Sequence, residues 1–253
     1  METLKQMNKT GGYRFTIVVP VYNEVDNIYA LEKALSEFLP KSMCRACVLF
    51  VNDGSSDGSL ERIQEICGRN ADFFYISFVR NAGLSAAIKA GFDYTCSEYV
   101  GYMDADLQTT PDDFNLLLEG IDRKSMMIGI RANRKDTFFK RFQSRFANGF
   151  RNMMTHDGAQ DTGCPLKVLH TDVARRIPMF KGMHRFLPAL VLLQEGGSYG
   201  QIPVRHFPRT AGKSKYHLWN RLAGPFADCF AYRWMKPRYI NYKVGENNVS
   251  QQQ

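Results

Sequence analysis

Two carboxylates one residue apart, Asp104 and Asp106, follow the apolar, strand-like run Tyr99 to Met103. Alternation in an extended segment puts both side chains on one side. Like charges that close are costly unless a cation lies between them. A hard divalent ion such as Mg²⁺ or Mn²⁺ is the natural remedy, because it takes oxygen ligands and leaves positions open for substrate phosphates. Gln108 can add a neutral oxygen to that set. A plainer reading is a polar turn after a strand, with Thr110-Pro111-Asp112 starting a helix. Three polar loops upstream, each following a strand-like run, favour the metal: Val21-Tyr22-Asn23-Glu24, Asn52-Asp53-Gly54-Ser55-Ser56-Asp57-Gly58 and Arg80-Asn81-Ala82-Gly83.

These loops need a frame. Phe15 to Pro20, Cys47 to Val51, Phe73 to Val79, Tyr99 to Met103 and Met126 to Ile130 read as strands. Between them come helices. One has Ile28, Leu31, Leu35 and Phe38 on one face, with Asp26 as cap and Pro40 as stop. The next carries Leu60, Ile63 and Ile66 and is ended by Gly68. Another opens at Arg80-Asn81-Ala82-Gly83 and runs through Lys89 to Tyr94. A fourth starts at Pro111, with Asp112 and Asp113 near the positive end of its dipole. This alternation predicts an α/β fold with a mainly parallel central sheet. Ligands of such sheets bind beyond the carboxyl ends of the strands, which here carry Tyr22, Glu24, Asp53, Asp57, Asp104, Asp106 and Arg131. No Gly-x-Gly-x-x-Gly follows the first strand, and no Gly-x-x-x-x-Gly-Lys-Ser/Thr loop occurs, so neither phosphate-cradling turn is available. Carboxylates remain for a base and ribose, and a metal for a diphosphate. Asp53 suits a nucleobase N–H, while Asp57 reads as a turn and helix cap.

The second half changes character. Phe139, Phe142, Phe146, Phe150 and Met153 form an apolar helical stripe, with Arg141, Arg145, Asn148 and Asn152 on another face. That helix either packs on the core or meets phosphates or a membrane. Asp161-Thr162-Gly163-Cys164-Pro165 is a loop with a carboxylate. Lys181 to Pro188 is basic and apolar together, and Pro208 to Tyr216 is a basic loop able to fold over phosphates. His217 to Met235 is aromatic and amphipathic, suited to a membrane interface or to packing on the domain.

The chain has 253 residues and a net charge of +8, which favours anionic partners. Met1 to Gly12 is polar and no run nears the ~20 apolar residues of a membrane span, so neither a leader nor an anchor is expected. The six cysteines show no disulfide framework. The pair Cys44 and Cys47 lacks a second pair at zinc-site spacing. The expected organisation is a flexible 1–13, a catalytic domain over 14–216, an amphipathic helical segment over 217–244 and a disordered tail over 245–253.

Val19-Pro20-Val21-Tyr22-Asn23-Glu24, the Asn52 to Gly58 loop, Arg80-Asn81-Ala82-Gly83 and Asp104-Ala105-Asp106-Leu107-Gln108, in this order and spacing, resemble the family 2 glycosyltransferases of GT-A, Rossmann-like fold. The Asp-Ala-Asp-Leu-Gln form and the late Arg209-Thr210-Ala211-Gly212-Lys213-Ser214-Lys215-Tyr216 are most similar to dolichyl- and polyprenyl-phosphate sugar transferases. The resemblance covers about residues 14 to 217. It implies that Pro20, Tyr22, Glu24 and Asp53 hold the nucleotide, with Lys89 nearby. It implies Mg²⁺ or Mn²⁺ on Asp104, Asp106 and Gln108. Arg131, Arg141 and Ser144 would meet the acceptor phosphate, and Arg209, Ser214 and Lys215 donor or acceptor phosphates. Two departures stand out: many relatives carry transmembrane helices after this domain, and Phe230 stands where hydroxyl-glycosylating relatives have Gln before Arg233-Trp234.

The acceptor decides what chemistry is needed. A hydroxyl must lose a proton to a base, and Asp161 is the spare candidate. A lipid phosphate is already anionic and needs only positive groups to hold it in line. The second half is rich in Arg and Lys, so the expectation is inverting transfer from a UDP- or GDP-sugar to a polyprenyl phosphate, with Asp106 and Arg131 central. The enzyme would sit peripherally on the inner face of the cytoplasmic membrane, through Arg205, Arg209, Lys213, Lys215 and Arg221 and the aromatic stretch. The alternatives are transfer to a glycan hydroxyl, a catalytically silent sugar-nucleotide sensor, and nucleic-acid binding. Nucleic acid explains the charge but leaves Asp53, Asp104 and Asp106 facing phosphate.

Overall fold

A computed structural model describes residues 9–132, 149–208, 223–242 and 246. The strands are β1 (Phe15–Val21), β2 (Ala46–Asn52), β3 (Phe73–Ser77), β4 (Tyr99–Tyr102), β5 (Met126–Arg131), β6 (Lys167–His170) and β7 (Tyr199–Val204). The helices are α1 (Ile28–Phe38), α2 (Ser59–Arg69), α3 (Leu84–Tyr94), α4 (Phe114–Ile121), α5 (Thr171–Arg176), α6 (Leu187–Val191) and α7 (Ala223–Met235). Residues 149–155 are helical as well. Among the described residues the strands form one sheet, in the order β3-β2-β1-β4-β6-β5-β7.

The β1, β2, β3 and β4 pairings are parallel, as the β-α alternation requires. β6 runs antiparallel between β4 and β5, and β7 pairs parallel with β5. Neither β6 nor β7 was expected. β6 is four residues long and opens on a lysine. β7 contains Gly200, Gln201 and Pro203, and a proline fits because β7 is the sheet's edge.

Side-chain alternation splits the core into two layers. Phe15, Ile17 and Val19 pack under α1, α2 and α4. Val18, Val100 and Ile128 pack under α3, α6 and α7. Each fully buried side chain of this size contributes about 2 kcal/mol. Pro20 stands near the end of a central strand, where a missing donor would normally break the ladder. Here β4 makes its last register pair at Val18↔Tyr102. Arg14 and Val18 turn their carbonyls to the β4 side, accepting from Tyr99 and Met103, while Val21 turns its carbonyl to Asp53 beyond β2. By that alternation Pro20 faces the side that β4 has left, so no ladder bond is lost.

Several local expectations are corrected. Asp26 does not cap α1. It lies inside a 3₁₀ turn, Val25–Asn27, and the Val25 N–H donates to Asp57 Oδ2 at 3.0 Å. Gly68 does not end its helix. α2 continues to Arg69, and the Asn70 side chain then takes the Ile66 carbonyl. Within the segment expected to be flexible, Lys9–Gly12 form a 3₁₀ turn, and Thr10 Oγ1 accepts from the Cys96 N–H at 2.8 Å. Met153, placed on the apolar stripe, is 57% exposed, while Arg151 is buried and paired with Asp157. The rest of that stripe, Phe139, Phe142 and Phe146, lies outside the described residues. α7 packs on the domain through one face and leaves another exposed. Cys229 and Tyr232 are buried, with Tyr232 stacked on Phe186 at 6.3 Å between ring centroids, whereas Phe230 and Trp234 are 62% and 64% exposed.

Candidate active site

A cavity of about 320 Å³ opens at the carboxyl ends of β1, β2 and β4, lined by Pro20, Tyr22, Glu24, Asp53, Asp104 and Asp106 among others. Its walls are loops tied to one another by side chain to backbone hydrogen bonds. Asn23, in the left-handed region at φ 51°, donates its N–H to Ser55 Oγ and accepts from the Ser56 N–H at Oδ1. The Glu24 N–H donates to Ser59 Oγ, and Glu24 Oε2 accepts from Asn27. Asp57 accepts from Ser59 and Val25, so one carboxylate holds the starts of two helical segments.

Asp53 has a different first task from the one expected of it. Its carboxylate accepts from the Ala82 N–H at 2.7 Å, the Gly83 N–H at 2.9 Å and Asn81 Nδ2 at 2.9 Å. A carboxylate offers about four lone-pair sites, so little capacity is left for a base. Asp53 clamps the Arg80–Gly83 turn against β2. Gly54 permits that approach: at φ +67° it sits where a Cβ would come within 2.5 Å of the Arg80 carbonyl carbon.

Asp104 and Asp106 face the same cavity, but not through strand alternation. β4 ends at Tyr102, and residues 105–106 form a turn. Asp106 Oδ1 accepts from the Gln108 N–H at 3.2 Å, bending the chain over Leu107, which takes φ 53°. That conformation costs a non-glycine residue about 1 kcal/mol. The Gln108 carbonyl accepts from the Phe207 N–H at 2.9 Å, so the exit from β7 is moored to this turn. Asp113 is 2% exposed, and it holds the same exit by accepting from the backbone and Nε of Arg205. It thus serves Arg205 rather than only the helix dipole.

Arg131 and Asp161 meet on the far side of β4. Nη2 and Nε of Arg131 each reach a carboxylate oxygen at 2.8 Å, and the Arg131 N–H adds a third bond at 3.2 Å. Beneath them lies Lys167, fully buried, donating to Tyr102 Oη at 3.0 Å and to the Thr162 and Cys164 carbonyls. Burial pulls its ammonium down to about 8, against the fields of Cys164, Asp161 and Asp104. Sequence reading missed Lys167. The available signal was a lone lysine inside Pro165-Leu166-Lys167-Val168-Leu169.

Not every candidate joins the cavity. Lys89 pairs with Asp93 and lines a separate groove between α3 and Met179–Lys181. Gln108 is not among the lining residues. Arg141, Ser144, Arg209, Ser214 and Lys215 lie outside the described residues. The cysteines are free, and burial pushes the Cys47 thiol up to about 12, which makes it inert.

The Glycosyl transferase family 2 model matches residues 16–179. A dodecaprenyl-phosphate galacturonate synthase of Rhizobium johnstonii is 30% identical over 208 residues, 80% of this chain and 62% of the relative. An undecaprenyl-phosphate 4-deoxy-4-formamido-L-arabinose transferase of Edwardsiella ictaluri is 33% identical over 217 residues, 80% of this chain and 63% of the relative. The chain therefore spans less than two thirds of the length of these curated relatives. A mannosyltransferase from Pyrobaculum calidifontis, solved in complex with GDP-Man and Mn²⁺, gives a TM-score of 0.63 at 16% identity, over 92% of this chain and 66% of that one. Glucosyl-3-phosphoglycerate synthase from Mycobacterium tuberculosis, in complex with Mn²⁺, UDP and glucosyl-3-phosphoglycerate, gives 0.64 at 14% identity, over 95% of this chain and 85% of that one. At these identities the likeness concerns the fold, a GT-A arrangement of sheet and flanking helices.

Proposed function

The chain belongs to glycosyl transferase family 2, and from that premise we propose that it moves a sugar from a nucleoside diphosphate to the phosphate of a polyprenyl lipid, with inversion. The observation that carries the reading is the division of charge across β4. Asp104 and Asp106 share a cavity with Pro20, Tyr22 and Glu24 on one side. On the other, the Asp161 carboxylate is gripped at both oxygens by Arg131. A hydroxyl acceptor needs a base. A carboxylate committed to a guanidinium fork is a poor one, whereas an anionic acceptor needs none.

The donor set fits a divalent cation. Among the described residues no group of three or more His, Cys, Asp or Glu side chains gathers to hold a metal. Asp104 and Asp106 alone suit Mg²⁺ or Mn²⁺, which complete their coordination with substrate phosphates. The side chain of Gln108 is the proposed third ligand. When bound, the ion acts as a Lewis acid toward charge growing on the diphosphate. The protein's own groups do the rest. The Pro20 carbonyl and the Tyr22 ring receive the base, and Arg131 orients the acceptor. An oxygen of the acceptor phosphate attacks the anomeric carbon as its bond to the diphosphate oxygen breaks on the opposite face. From the sequence alone, Arg141 and Ser144 are proposed for the acceptor phosphate, and Arg209, Ser214 and Lys215 for either phosphate.

Among the described residues no helix is long and apolar enough to cross a membrane. Phe230 and Trp234 on α7 are exposed beside Arg233, Lys236 and Arg238, and Ile240 and Tyr242 follow. Aromatic and basic side chains in that mixture suit an anionic membrane interface, and we propose that they rest on its inner face.

The test is a panel of nucleotide sugars with farnesyl phosphate or farnesol and Mn²⁺ or Mg²⁺. Product from the phosphate alone, lost on chelation, supports the reading. Product from the alcohol, or unchanged turnover in the chelator, overturns it.

A further inference from the structure

We propose that Lys167 is a positioning residue for Arg131: from β6 it grips the Thr162–Cys164 segment on which the guanidinium is seated. The inference rests on Arg131 orienting the acceptor phosphate, as proposed above.

Lys167 lies inside the sheet, with Tyr102 of β4 and Ile128 of β5 as its register partners. It is fully buried. Packing alone would favour an aliphatic residue there, because a buried ammonium is costly unless its protons are received. Its three N–H groups meet three acceptors: Tyr102 Oη at 3.0 Å and the carbonyls of Thr162 and Cys164. Two of the three acceptors therefore belong to one short segment and flank Gly163.

Gly163 is where that segment meets Arg131. A Cβ at this position would stand 2.9 Å from Arg131 Nη2, so the backbone lies close against the guanidinium. Asp161 heads the same segment and accepts from Nε, Nη2 and the backbone N–H of Arg131. The Cys164 N–H donates to the Asp161 carbonyl at 3.3 Å and closes the segment into a turn. Arg131 is thus seated on residues 161 and 163, while Lys167 holds residues 162 and 164.

The bond to Asp161 does not exhaust Arg131. A guanidinium has five N–H donors, and the fork on Asp161 spends one on Nε and one on Nη2. The Nη1 protons have no acceptor among the described residues. Only 16% of the side chain is exposed, so the seat sets where these donors point. A misplacement of about 1 Å is enough to cost a reaction up to about 100-fold. Lys167, Thr162, Gly163 and Cys164 are not among the residues lining the cavity that holds Asp104 and Asp106. Loss of the seat should therefore fall on the acceptor and spare the donor.

The experiment is steady-state kinetics of Lys167→Met and Gly163→Ala, varying farnesyl phosphate and a nucleotide sugar that the wild type turns over. A melting curve confirms that each variant is folded. The KM for farnesyl phosphate should rise about tenfold in both, and the KM for the nucleotide sugar should hold. Adding Asp161→Asn to Lys167→Met should raise the farnesyl phosphate KM little further, because both act through Arg131. If Lys167→Met does not fold, Lys167→Gln, which keeps amide donors, is read in its place. Equal rises in both KM values, or no rise for farnesyl phosphate, overturn the assignment and leave the proposed reaction standing. Rises that multiply in the double variant overturn it too, by separating Lys167 from Arg131. A wild type without turnover on farnesyl phosphate overturns the lipid reading and the assignment with it.

Discussion

Arg131 and Asp161 are joined by three hydrogen bonds, two of them from the guanidinium at 2.8 Å, and both side chains are largely shielded from water. A pair so placed is costly to break from one side, by about 3 kcal/mol or more, because the other charge stays buried. Asp161→Asn should therefore lower the Tm and raise the KM for a prenyl phosphate roughly tenfold while sparing most of kcat. If Asp161 were a catalytic base, kcat would instead collapse by about 100-fold or more with KM little changed. Steady-state kinetics beside a melting curve separates the two.

Asp106→Asn should reduce kcat by about 100-fold and remove the response to Mn²⁺ concentration. The Tm of the metal-free protein should hold or rise, since two neighbouring carboxylates no longer repel. Rate against Mn²⁺, with a melt in chelator, checks both halves.

Asp53→Ala should cost about 3 kcal/mol. It strands the N–H groups of Ala82 and Gly83, which donate to no other acceptor among the described residues. Urea unfolding measures the loss. A variant within about 0.5 kcal/mol of the wild type would mean that water replaces the clamp.

Lys167 gives the fold a signature in pH. Its pKa is about 8 when folded against 10.5 when free, with burial as the main cause. Between these values the unfolded chain binds more protons, so this group's contribution to stability rises with pH from about 8 to 10.5. Below 8 the burial penalty is felt in full. Lys167→Met lacks the slope. The difference in unfolding free energy between wild type and variant should shift in favour of the wild type across that window.

On α7 the two faces should respond oppositely. Tyr232→Ala, at 2% exposure, should cost about 3 kcal/mol. Phe230→Ser with Trp234→Ser should leave the Tm nearly unchanged and weaken sedimentation with anionic vesicles about tenfold. Equal vesicle binding by the double variant would remove α7 from the membrane contact.

Much of this arrangement was legible in the residues, for a physical reason. β1 is rich in β-branched residues, β2 and β4 are buried throughout, and carboxylates gather in the polar loops that follow them. What escaped was whatever depends on distant partners. β6 carries a lysine that is apolar in behaviour only because Tyr102 and two carbonyls receive it. Asp53 lines the cavity as expected of a ligand contact, but nothing in its neighbourhood of sequence shows that Arg80–Gly83 also folds onto it. Asp104 and Asp106 share a side, yet a turn, not the strand period, puts them there.

Pro20 gives the cavity an edge that can accept a hydrogen bond and cannot give one. Uracil and guanine present a ring N–H to such an edge; cytosine and adenine present a bare ring nitrogen, which would face the carbonyl lone pairs. Where the base meets Pro20 as proposed, the missing amide hydrogen favours keto over amino bases, and competition by UDP and GDP against CDP and ADP reads that preference directly.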